Sequence, residues 1–312
     1  MTVDPQAQAA LDLIANAVAN GAPAMWQMEP ATARASYKMM AAYGGAGEAV
    51  ETVEDRVIPG PGGDLPIRIY RPGAGTKPAM VFYHGGGFVI GDIDTHDREN
   101  RRLANRSGAV VVSVDYRLAP EAPFPAATDD AWAALAWVRD NATELDIDPE
   151  RLAVGGDSAG GNLAAVTAIR ARDEGLRLAH QLLIYPAVDI SEGVDDRYPS
   201  RAANDGYILS TEMNGWFIGH YTGDPIPADP RLTPIDNPSL ADVAPALVIV
   251  AQYDPLRDEG VAYADALAEA GVPVKLSEYP GQIHGFYNMG PAIAAGWDAV
   301  DEAADAVGAA LA

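Results

Sequence analysis

The chain has 312 residues, 48% of them hydrophobic, with 21 Lys and Arg against 44 Asp and Glu, a formal net charge of −23. That field repels polyanions and anionic bilayers, which disfavours nucleic acid and membrane surfaces as partners and favours an uncharged small molecule. Cysteine is absent, so disulfides, thiolate catalysis and cysteine-based zinc sites are excluded.

The first residues, Met1-Thr2-Val3-Asp4-Pro5, carry no basic stretch ahead of an apolar run, and no apolar run reaches the ~20 residues that span a bilayer. A cytoplasmic protein is the expectation. Residues 6–20 place Leu11, Ile14 and Val18 at helical spacing, and residues 31–43 read as a second helix. Between them lies a breaker-rich stretch that nevertheless carries Met25, Trp26 and Met28. Two helices ahead of the first strand do not belong to a parallel-sheet core, so residues 1–48 read as a cap.

Residues 51–58 and 65–70 alternate as strands around a Pro-Gly-rich turn, which predicts an edge hairpin. From residue 79 the texture changes to apolar strands (79–83, 109–114, 152–155, 181–185, 246–251 and 273–279) alternating with helices (95–107, 126–141, 159–172, 257–270 and 291–311). Nearly uninterrupted apolar strands imply a parallel sheet covered on both faces, with ligands outside the strands' C-terminal ends. Residues 49–189 and 239–312 are therefore assigned to the core. Residues 190–238 break the alternation with Tyr198, Tyr207, Trp216, Phe217 and Tyr221 among Pro, Gly and Asp, and read as an insertion completing the cap.

Four stretches fall at strand ends. Gly156-Asp157-Ser158-Ala159-Gly160 fits a nucleophile elbow, a turn tight enough that side chains on its neighbours would clash. Ser158 would then sit at a helix N-terminus, where N–H groups favour negative charge developing on a substrate oxygen. By itself the pattern also fits an inert glycine turn or a phosphate loop, although no Lys-Ser or Lys-Thr follows the glycines. Tyr83-His84-Gly85-Gly86-Gly87-Phe88 lets backbone N–H groups approach a ligand, as an oxyanion hole or an anion nest requires. Asp254 ends the strand at 246–251, and His284 follows the last strand. The order Ser158, Asp254, His284 is the one α/β-hydrolases use. Asp258 and Glu259 read as first-turn helix residues. A rival set, Ser158, Asp189 and His220, is weaker because His220 lies inside the insertion. His96 and His180 read as structural.

Together these motifs resemble the bacterial hormone-sensitive-lipase-like esterases, family IV lipolytic enzymes of the α/β-hydrolase fold, from about residue 50 onward. The carriers are His84-Gly85-Gly86-Gly87-Phe88, Asp115-Tyr116-Arg117-Leu118-Ala119-Pro120-Glu121, Gly156-Asp157-Ser158-Ala159-Gly160-Gly161, Asp254-Pro255-Leu256-Arg257-Asp258-Glu259 and His284-Gly285-Phe286. The resemblance implies a mostly parallel central sheet with helices on both faces and a helical cap. It implies a triad of Ser158, Asp254 and His284, an oxyanion hole drawn from Gly85 to Gly87 with Ala159, and a supporting role for His84. Of the glycines, Gly85 and Gly86 are taken as the donors. It implies no cofactor or metal, small ester substrates with short to medium acyl chains, and homodimerisation through an edge strand. Met25, Trp26, Met28, Phe88, Tyr185 and Trp216 are expected to line the acyl pocket. Three alternatives stay open: a specialised deacetylase or amidase, a non-catalytic ligand receptor on the same fold, and a metal hydrolase using His84, Asp94 and His96.

Overall fold

The computed structural model describes residues 2–312. Helices α1 (Pro5–Ala19) and α2 (Pro30–Ala42) come first, and each starts on a proline, whose missing N–H is harmless at that position. Asp4 caps α1, its Oδ1 accepting the Gln6 N–H at 2.8 Å.

Eight strands follow: β1 (Thr52–Gly60), β2 (Gly63–Arg71), β3 (Lys77–Tyr83), β4 (Val110–Val114), β5 (Ile147–Asp157), β6 (His180–Ile184), β7 (Ala246–Tyr253) and β8 (Val274–Ile283). They form one sheet in the order β1-β2-β4-β3-β5-β6-β7-β8. The β1–β2 hairpin and the β2–β4 pair are antiparallel, and every later pair is parallel. The period of two along the strands sorts side chains to opposite faces. Val81, Val112, Val154 and Val248 pack under α4 (Ala126–Asp140), α5 (Ala159–Asp173) and α9 (Arg257–Glu269). Phe82, Val111, Ala153 and Ile249 face α3 (Asp97–Ser107) and α10 (Ala294–Ala310). Burying each large aliphatic chain contributes about 1.5–3 kcal/mol, which is why the central strands read as unbroken apolar runs.

Parallel pairing puts the C-termini of β3 to β8 at one edge, and residues 190–238 cover that edge with α6 (Val194–Arg197), α7 (Pro199–Ala203) and α8 (Thr211–Thr222). α8 packs on the 3-10 turn Met25–Gln27 between α1 and α2, so residues 190–238 meet the N-terminal helices. Glu259 sits in the first turn of α9, as expected, and does more than meet the helix dipole. It is fully buried, accepts the Val188 N–H at 2.9 Å and pairs with Arg201, tying the insertion to α9.

Strand β8 runs four residues beyond the expected 279, through Pro280 and Gly281. An edge strand tolerates the missing N–H of proline. A register shift between Ala251 and Tyr253 brings Ile283 opposite Tyr253, so the residues that follow, Asp254 and His284, leave the sheet side by side.

Candidate active site

Ser158 has φ +55° and ψ −116°, the left-handed region that costs a non-glycine residue energy unless the surroundings hold it there. Gly156 and Gly160 make the turn sterically feasible. A Cβ on Gly156 would run into the Gly160 backbone and Tyr83 O, and one on Gly160 into Tyr83 O. The Ser158 N–H donates to Ile184 O at 2.8 Å, which seats the elbow on β6. Its side chain projects from the N-terminus of α5.

His284 Nε2 lies 3.0 Å from Ser158 Oγ, and His284 Nδ1 lies 2.7 Å from Asp254 Oδ2. Asp254 is wholly buried, and its other oxygen accepts the Leu256 N–H at 2.8 Å. A carboxylate facing Nδ1 places the imidazole proton there and leaves Nε2 as an acceptor for the serine proton. The insertion braces this acid, since Asn204 Nδ2 donates to Asp254 O at 3.1 Å.

The rival set is not assembled. Asp189 Oδ1 accepts from Ser191 Oγ at 2.6 Å and Oδ2 from Arg197 and Tyr198 Oη at 2.5 and 3.0 Å, while His220 packs edge-on against Trp216 on α8. The metal alternative fares no better. Asp94 pairs with Lys38 and Arg68, and His96 faces Asp157. Among the described residues, no group of three or more His, Asp or Glu is placed to hold a metal ion. His84 is buried and stacked on Tyr116 at 4.2 Å between ring centres, and burial pushes its pKa down to about 4, so the ring is neutral.

The glycine run requires a correction. The Gly85 N–H donates to Asp157 Oδ1 at 2.8 Å, and Gly85 does not line the cavity beside Ser158. Its amide is therefore engaged by Asp157 rather than facing the cavity. Gly86 (φ +123°) and Gly87 (φ +59°) do line the cavity, as does Ala159. Among the described residues, none of the N–H groups of Gly86, Gly87 and Ala159 meets a protein acceptor.

The cavity holds about 860 Å³ and is bordered by Met25, Trp26, Met28, Phe88 and Tyr185 as well as Ser158 and His284. Trp216 is the exception among the expected lining residues. It packs on Phe217 at 5.3 Å and on His220, and α8 turns Phe217 and Met213 toward the cavity instead. Trp216 sits about 100° round the helix from Phe217, on the side that carries His220. Met213 and Phe217 are four residues apart, a spacing that could have identified them from sequence. The contributions of Ile14, Val18 and Met40 from α1 and α2 were also missed, although helical periodicity flagged two of the three as one face.

A mostly parallel sheet of this order, with a serine elbow after β5 and an acid and a histidine after β7 and β8, defines an α/β hydrolase. A family model described as alpha/beta hydrolase fold matches residues 80–288. The chain is 47% identical over 246 residues to the carboxylic ester hydrolase LipN of Mycobacterium tuberculosis, covering 76% of this chain and 65% of LipN. It is 44% identical over 257 residues to the esterase LipI of the same organism, covering 80% and 79%. A hyperthermophilic esterase from the archaeon Pyrobaculum calidifontis superposes with a TM-score of 0.94 at 44% identity, over the full length of both chains. The chain belongs to the hormone-sensitive-lipase-like family of α/β hydrolases. Among the described residues, no helix is long and apolar enough to cross a membrane.

Proposed function

We propose that this protein is a serine carboxylesterase that hydrolyses small esters of short to medium acyl chain through an acyl-enzyme. The observation that carries the reading is the continuous relay from Asp254 through His284 to Ser158, at 2.7 and 3.0 Å, opening into a largely apolar cavity. His284 takes the serine proton as Oγ attacks the ester carbonyl. The carbonyl oxygen becomes an oxyanion received by the N–H groups of Gly86, Gly87 and Ala159. His284 then passes its proton to the departing alcohol, and water releases the acyl group by the same route. Each oxyanion donor is worth about 3 kcal/mol in the transition state.

A cavity of 860 Å³ suits a small ligand buried over most of its surface. Its largely apolar walls suit the acyl chain. The names of LipN, LipI and the Pyrobaculum esterase support the same chemistry. A receptor on this fold is not favoured, because all three triad positions are filled. Homodimerisation has an available edge in β8, where Leu276 is 40% exposed.

The test is steady-state hydrolysis of p-nitrophenyl esters from acetyl to palmitoyl by wild type and Ser158→Ala, with chelator present. Turnover peaking at short or medium chains and lost in the variant is the expected result. Turnover that survives Ser158→Ala, or a folded wild type inert toward every ester, would overturn the reading.

A further inference from the structure

Asp157 precedes the nucleophile, is only 3% exposed, and takes no part in the proton relay. A carboxylate removed from water needs charged or hydrogen-bonding partners, and Asp157 draws its partners from three separate segments. Gly85, in the oxyanion loop after β3, donates its N–H to Oδ1 at 2.8 Å. His96, just ahead of α3, places Nε2 3.1 Å from the same oxygen. Asn288, four residues past His284, donates Nδ2–H to Oδ2 at 2.9 Å.

Proton bookkeeping supports an ion pair with His96. Thr95 Oγ donates its only proton to Asp92 O at 2.7 Å, so at 2.9 Å from His96 Nδ1 it can only accept. With Nδ1 protonated, Nε2 faces the carboxylate favourably only if it too carries a proton. Asn288 Nδ2 also lies 3.1 Å from that ring nitrogen; its NH2 group has two protons, and the one directed at Asp157 Oδ2 makes the shorter contact. Burial opposes a charge on His96, yet the facing Asp157 carboxylate, with Glu99 and Asp92 nearby, holds its pKa above the ordinary value. The same clamp explains why position 85 is a glycine, since a Cβ there would occupy the place of the Asp157 carboxyl. With Gly85 fixed, the chain turns through the two positive-φ glycines whose N–H groups face no protein acceptor.

We propose that Asp157 is a positioning residue of the ester hydrolysis, pinning the oxyanion loop and the turn behind His284 to the nucleophile's own strand end so that donors, base and nucleophile share one anchor. This rests on the esterase reading above.

The test is Asp157→Asn, which keeps the shape and removes the charge. If the new side-chain oxygen keeps the Gly85 N–H, the new NH2 group confronts Asn288 Nδ2, donor against donor, and His96 loses its counterion. The expected result is a kcat per active serine, titrated with a p-nitrophenyl phosphonate, about 10- to 100-fold below wild type, with KM within about threefold, because the oxyanion contacts tighten only in the transition state. A purely structural role would lower the melting temperature and the titratable fraction while leaving kcat per titrated serine unchanged. Asn288→Ala removes one partner only and gives a smaller fall in the same parameter, so the idea remains testable if Asp157→Asn does not fold. Wild-type kcat per titrated site, within twofold, in whichever variants fold would overturn the anchor. Ser158→Ala run alongside separates the two readings. Serine-dependent turnover that is indifferent to Asp157 and Asn288 sinks the anchor alone, whereas a wild type without serine-dependent turnover sinks the esterase reading and the anchor with it.

Discussion

Asp254→Asn is the sharpest test of the relay, because the structure dictates how the new amide must sit. Asp254 Oδ1 accepts the Leu256 N–H at 2.8 Å inside a fully buried site, and Oδ2 faces His284 Nδ1 at 2.7 Å. An asparagine there must give its oxygen to Leu256, since its NH2 group would otherwise confront an N–H donor with no water to relieve it. The NH2 group then faces Nδ1 and is satisfied only if Nδ1 is unprotonated. That choice places the imidazole proton on Nε2, 3.0 Å from Ser158 Oγ, where it blocks the lone pair that should accept the serine proton. A wrong tautomer of this kind lowers kcat by about 10⁴, or about 5 kcal/mol of transition-state stabilisation. The assay is kcat and KM on p-nitrophenyl butyrate at neutral pH, with the rate of serine modification by a phosphonate as a parallel readout. Both rates should collapse together while KM and the melting temperature move little. A loss of less than tenfold in a folded variant would refute the assignment of Asp254 as the group that orients His284.

Trp26→Ala should extend the accepted acyl chain, because Trp26 borders the cavity from the turn that α8 packs against. KM for octanoyl relative to acetyl esters should fall about tenfold, the scale of one or two methylene contacts; an unchanged chain-length profile would rule out a gating role. Glu99→Gln should change how stability depends on pH. Glu99 is fully buried, neither carboxylate oxygen has a hydrogen-bond partner among the described residues, and burial pushes its pKa up to about 7 against Arg98, whose Nε is 3.6 Å away. Between the ordinary carboxylate value and 7 the native state binds the extra proton, so this residue's contribution is intact at low pH and is lost as pH rises through that window, by up to about 3 kcal/mol. The variant should melt near wild type at pH 5 and above it at pH 8, as followed by circular dichroism. An equal difference at both pH values would contradict this account.

Much of the molecule is written in short stretches of sequence. Alternating apolar runs and helical periodicities located all eight strands and the helices on both faces, because each depends on the chemistry of near neighbours along the chain. The elbow was legible for the same reason, since only glycines at 156 and 160 allow the backbone to turn so tightly at Ser158. The order of Ser158, Asp254 and His284 also followed from sequence, since each falls just past an apolar strand.

Tertiary structure decided what depends on distant partners. The Gly85 N–H is engaged by Asp157, 72 residues away, a contact that no local pattern encodes. The choice between Trp216 and Phe217 turned on the rotation of α8 against the cap, and both are large aromatics in sequence. Asp189 and Asp254 each follow a strand, but Arg197 and Tyr198 capture the first, while the register shift between β7 and β8 sets the second beside His284. Sequence by itself thus determined the fold and the chemical groups available, which are properties of segments. The direction of each donor and the partner of each buried charge emerged only when segments far apart in the chain were packed together and had to satisfy one another out of reach of water.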